Sequence, residues 1–251
     1  MSAYEGGSAF RLLRPARQET YEKLFSTVYV GLMTNVLLAV ACAPLLAALA
    51  VVRNPFASWP FFAVLSLPCA PALAGAFGCF TALGEGSADV LCAFWDGYRR
   101  AAARALLVWT AGGAAVGVLT VDALAVARTP WGPALVPFFC TASALVAALV
   151  FALLVLLAES PGTVRLRGLA LPCLHLVARR WYLSALSIAL LGLAIAVVLL
   201  KPVVGVFLAC SPMLYLAWAT TRFVVAPALA AGGSAGRPRK RSSGDGGDAP
   251  P

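Results

Sequence analysis

Residues 59–104 read WPFFAVLSLPCAPALAGAFGCFTALGEGSADVLCAFWDGYRRAAAR. The first part is uncharged, and small residues recur four apart at Ala70, Ala74, Gly78 and Ala82. That spacing lines one helix face with small side chains, so a neighbouring backbone can approach closely within lipid. The stretch therefore predicts a helix in the middle of a bundle. After Gly84-Glu85-Gly86 the pattern changes: Leu91, Phe94, Trp95 and Tyr98 oppose Asp89, Asp96 and Arg100. Such two-sidedness predicts an amphipathic helix lying on the inner membrane surface.

Outward from this stretch, the chain of 251 residues is 61% hydrophobic and only 12% charged, with a mean hydropathy of +0.89. Soluble domains average roughly 45–50% and 25%, so lipid is the expected solvent. Charge-free runs cover 24–52, 54–84, 129–158, 181–200 and 202–221, with a shorter one at 105–121. A helix crosses a bilayer with about 20 apolar residues. The expectation is an all-α polytopic bundle of six transmembrane helices arranged as three hairpins, with amphipathic inner-face helices. Residues 1–23 form a cytosolic lead-in, 24–222 the membrane domain and 223–251 a disordered basic tail.

Charge sets the orientation. Of 19 Lys and Arg residues, only Arg53, Arg128 and Lys201 fall on the side opposite the termini. The positive-inside rule then puts both ends in the cytoplasm. The net charge of +9 follows from that asymmetry, and no basic soluble module points to nucleic acid. The basic inner segments instead fit anionic lipid headgroups. Each outer turn pairs a cation with a following proline, at Arg53-Asn54-Pro55, Arg128-Thr129-Pro130 and Lys201-Pro202. This agrees with tandem hairpins, although proline is common in any such turn.

Individual residues carry less chemistry. Thr34 and Asn35 lie within the first run, and Asp122 near the end of the third. Polar groups in lipid need partners, and an ionisable one is a functional candidate. Together they could line a polar path; equally, Asn35 could clasp a neighbouring helix and Asp122 could reach the outer interface. Gly113 and Gly117 make a GxxxG pair, expected at a close helix contact. Pro44 is placed to kink the long first run. The seven cysteines contain no CxxC pair, and His175 follows Cys173 with no acidic partner nearby. No catalytic set, metal site or cofactor is expected. Ala39-Val40-Ala41-Cys42 loosely matches a lipoprotein cleavage box, but the apolar run continues past Cys42, so the first span is expected to stay. The inner-segment residues Trp95, Asp96, Arg99, Arg100, Arg179 and Arg180 are candidates for docking a partner or lipid.

Asn35 in an apolar first span, Leu67-Pro68-Cys69-Ala70-Pro71-Ala72-Leu73-Ala74 in the second, and Phe94-Trp95-Asp96-Gly97-Tyr98-Arg99-Arg100 before the third form a recognisable order. It resembles the YesL-like family of bacterial integral membrane proteins over about residues 24–218. The resemblance implies a non-enzymatic, multi-pass cell-membrane protein that assists a carbohydrate transport system. A small secondary transporter or channel is the alternative.

Overall fold

A computed structural model describes residues 9–52, 58–85, 89–159, 166–200, 205 and 210–235. Among them every regular element is a helix, with no strands. The elements are α1 (Ala9–Ala41), α2 (Ala43–Val51), α3 (Trp59–Leu65), α4 (Cys69–Gly84), α5 (Val90–Val126), α6 (Gly132–Glu159), α7 (Leu166–Arg179), α8 (Trp181–Leu200) and α9 (Cys210–Ala235). Four segments are long and apolar enough to cross a membrane: Trp59–Gly84, Val90–Val126, Gly132–Glu159 and Trp181–Val198. A fifth exists if α1 and α2 count as one span bent by 66°. The bend falls at Cys42, with Pro44 in the first turn of α2. Proline there lacks an N–H to donate and its ring crowds the preceding turn, which accounts for the break.

The expected six-helix hairpin arrangement is thus present only in its coarser form, as an all-helical bundle with four or five candidate spans. The expected crossing at 202–221 falls partly on residues outside the described set, and α9 starts within it. That helix also continues beyond the expected domain boundary at 222, to Ala235. The remainder of the expected tail, from 236, lies outside the described residues, as does the first part of the lead-in.

α4 is the centre. It packs on α5, α1, α6 and α9, and nine of its residues are buried: Ala70, Pro71, Ala72, Ala74, Gly75, Ala76, Phe77, Cys79 and Phe80. These cover every side of the helix. A helix that is apolar all round is one surrounded by other elements, so burial in protein accounts for the missing charge of α4. Phe77 meets Phe151 of α6 edge to face, with centroids 5.3 Å apart, and Phe80 meets Tyr215 of α9 at the same separation. A second, smaller core joins Ala148, Ala152 and Leu156 of α6 to Cys173 and Val177 of α7 and Val224 of α9.

One expectation is corrected here. The amphipathic stretch 89–104 is not a separate helix lying flat on a surface; it is the first half of α5, which runs unbroken for 37 residues. Nothing between Arg100 and Leu107 breaks a helix, because the intervening sequence is alanine-rich and alanine is the best helix former. At 1.5 Å per residue α5 is about 55 Å long, against about 30 Å of hydrocarbon. The excess over an upright crossing is about 25 Å, close to the length of the charged part ending at Arg104. Its buried positions Val90, Phe94, Ala101, Ala105, Val108 and Gly112 recur every three to four residues and face the bundle.

Candidate functional site

The charged half of α5 is held by α4. The two helices run antiparallel: the Cys79 thiol donates to the Val90 carbonyl at 3.4 Å, Gly75 lies against Gly97, and Trp109 Nε1 donates to Ser66 Oγ at 3.1 Å. The approach is closest at the glycines. A Cβ on Gly97 would stand 3.1 Å from the Gly75 Cα and 3.3 Å from the Ala74 carbonyl oxygen. One on Gly75 would stand 2.9 Å from the Phe94 carbonyl oxygen. Of the residues expected at helix contacts, Ala70 and Ala74 are buried, while Gly78 and Ala82 are half-buried. Gly78 faces the Ala93 carbonyl. Gly113 and Gly117, by contrast, have no atom within 4 Å of where a Cβ would sit. The tight contact therefore uses Gly75 and Gly97, which do not form a GxxxG pair in sequence.

With Phe94 turned into the core, the opposite face of α5 is displayed. Leu91, Cys92, Trp95, Asp96, Arg99 and Arg100 are exposed. The Trp95 and Tyr98 rings stack at 5.6 Å and 6°, and the Arg99 guanidinium lies over Trp95, 5.0 Å from its centroid. Arg100 Nε donates to the Asp96 carbonyl at 3.2 Å. Stacking and cation–π contact hold Tyr98, Trp95 and Arg99 against one another. This face offers an aromatic plate edged by two cations and one carboxylate.

A second basic surface forms where α7, α8 and α9 meet. Arg180 Nη1 donates to the Phe223 carbonyl at 3.0 Å, and its guanidinium lies 5.2 Å over the Phe223 ring. Arg179, Trp181 and Tyr182 are exposed beside it. Behind them Arg222 Nε meets Glu159 Oε1 at 3.0 Å, and the guanidinium lies 5.1 Å over Trp218. The sequence reading included Arg179 and Arg180 but missed the Glu159–Arg222 pair; the signal was a carboxylate and a guanidinium each closing an apolar run. It also missed Ser187 of α8, buried and within 2.9 Å of the Thr220 hydroxyl and 3.2 Å of that of Thr221.

The three residues expected along a polar path do not share one environment. Thr34 and Asn35 are buried in the core, with Thr34 against Cys79, whereas Asp122 is exposed on the second half of α5. Cys173 and His175 also separate: Cys173 is buried against α6 and α9, and His175 is exposed. Burial pushes the Cys173 thiol up to about 11. Because the thiolate is the nucleophile, its population at Cys173 is small at neutral pH and rises as pH approaches that value. A maleimide at pH 7 is expected to label exposed Cys92 first and Cys173 only on unfolding, followed by peptide mass mapping over time. Fast labelling of Cys173 would mean α7 is not seated on α6. Among the described residues no group of three or more His, Cys, Asp or Glu side chains is placed to hold a metal ion.

No family model, curated protein or solved structure matches this chain.

Proposed function

We propose that this is a YesL-like multi-pass protein of the bacterial cell membrane, with both termini cytoplasmic and no enzymatic activity of its own. In this reading it is an accessory or regulatory component of a carbohydrate transport system. One observation carries the docking role: the first half of α5 is clamped on one side by α4, while on the other Arg99 lies over Trp95, Trp95 stacks on Tyr98, and Asp96 and Arg100 are exposed beside them. Aromatic and arginine side chains supply most of the binding energy at protein interfaces, and a helix longer than the bilayer is thick can carry them into the cytosol. The Arg179–Arg180 surface, with Trp181 and Tyr182 beside it, suits anionic lipid headgroups. Thr34 and Asn35 are buried while Asp122 is exposed, so the alternative of a small transporter or channel draws no support from these three residues as a set.

The test is photo-crosslinking in cells from an unnatural amino acid at position 95. Adducts to a component of a sugar-uptake system are expected, and Arg99→Glu with Arg100→Glu is expected to remove them while membrane insertion is kept. Adducts to lipid alone would sink the accessory role.

A further inference from the structure

Among the described residues, only one pair of thiols meets. Cys42 occupies the break between α1 and α2, and Cys69 is the first residue of α4, just after the turn that separates it from α3. Their sulfurs lie 2.9 Å apart although 27 positions separate them in the chain. A disulfide bond is about 2.04 Å long, so closure requires a movement of under about 1 Å. Both are free and half-buried. The remaining thiols differ: Cys92 and Cys140 are exposed, Cys79 donates to the Val90 carbonyl and Cys173 is sealed in the second core. Cys210, the first residue of α9, is the third thiol near Cys42.

The depth of the pair follows from the α4–α5 register. Ser66 is opposite Trp109 and Gly75 opposite Gly97, so Cys69 falls level with Arg104 and Ala105. There the charged half of α5 gives way to its apolar half. Both cysteines keep part of their surface exposed, and the backbone is already broken in both segments that carry them.

We propose that Cys42 and Cys69 form a dithiol site that takes up a small water-soluble disulfide by exchange, closing a bond between the α1–α2 bend and the start of α4. One thiol gives its proton to water, and the thiolate attacks a sulfur of the incoming R–S–S–R. That bond breaks, and RS⁻ leaves and is protonated. The second protein thiol, deprotonated in turn, attacks the protein sulfur of the mixed disulfide and expels the other RS⁻, which takes up the second proton. Two electrons pass from the dithiol to the reagent, and two RSH are released. The product ties the bend of the first helix pair to the central helix, fixing an angle that the reduced chain sets only by packing.

The test uses the full-length wild-type protein in mild detergent with oxidised glutathione as reagent, followed by acid quench, alkylation in denaturant and tryptic mapping. Cleavage at Lys23, Arg53 and Arg99 places Cys42 and Cys69 on separate peptides, 24–53 and 54–99. The expected result is these two peptides joined, with a mass two hydrogens below their sum, fragmentation assigning the bridge to Cys42 and Cys69, and release by dithiothreitol. In the double variant Cys69→Ser with Cys210→Ser, glutathione is expected to stay attached at Cys42 because neither neighbouring thiol is left to resolve the mixed disulfide. Persistent glutathione on Cys42 or Cys69 of the wild type, a bridge from Cys42 to Cys210, or no reaction at either residue would each overturn the proposal.

Discussion

Gly97→Val is expected to lower the stability of the folded protein by about 3 kcal/mol, the upper part of the usual range for overpacking, and Gly75→Val by a similar amount. The reason is the identity of the neighbours. Extra methyl groups often cost little when the obstructing atom belongs to a flexible side chain, but a Cβ on Gly97 meets the Gly75 Cα and the Ala74 carbonyl, and one on Gly75 meets the Phe94 carbonyl. Backbone atoms of two packed helices move only if the helices part. Parting them would strip the contacts of Phe77, Phe94 and Ala105 in the main core and loosen the Trp109–Ser66 hydrogen bond. Gly113→Val lies on the same helix with nothing near it, and as a surface change it is expected to stay within about 0.5 kcal/mol of wild type. Unfolding by titration of a denaturing detergent into mild micelles, followed by circular dichroism, compares the three. A wild-type midpoint for Gly97→Val would mean that α4 and α5 do not share this register.

That contrast between Gly97 and Gly113 shows what could be read before the structure was known. Composition and charge-free length identify an all-helical chain with apolar helices, because they depend only on local sequence. Pro44 marks the break in the first helix pair for the same reason. The partner of a glycine is a different kind of fact. The sequence places a GxxxG pair at 113 and 117, yet α4 meets α5 earlier, at Gly97, and α6 comes up against Gly112 through Val150, leaving Gly113 and Gly117 on the open side. The change from charged to apolar at Arg104 is visible in the sequence too, but it marks a change of surroundings along one rod and not the end of an element. Likewise, Ala70 to Phe80 lacks charge because other helices enclose it, and a run of letters cannot distinguish enclosure by protein from enclosure by lipid. On the exposed face of α5, Trp95, Arg99 and Arg100 were legible as residues, while Phe94 and Trp95, read as sharing one apolar face, part company in the structure. The seating on α4 separates them, turning Phe94 against Gly75 and leaving Trp95 exposed. The Cys42–Cys69 contact had no sequence signal, since it arises where two unrelated breaks come together.

Arg222→Ala is expected to be the second most damaging single change away from the glycines. Glu159 closes α6 with its side chain only 6% exposed, and the guanidinium of Arg222 stands 3.0 Å from it with 48% of its own side chain exposed. Removing the cation leaves a carboxylate in a buried place with its charge uncompensated, a loss of 3–5 kcal/mol for a fully buried pair. Here solvent around the half-exposed arginine screens part of the attraction, so the expected loss is about 2 kcal/mol. Some of it is packing: the Arg222 stem and guanidinium also cover Trp218, which belongs to the main core. The two contributions separate in a double-mutant cycle. Glu159→Gln removes the charge that needs a partner, so adding Arg222→Ala to Glu159→Gln is expected to cost clearly less than Arg222→Ala alone, with the residual cost reporting the cover over Trp218. The same detergent titration gives all four midpoints. If the two losses simply add, the ion pair contributes nothing, and the joint between α6 and α9 is held by apolar contact alone.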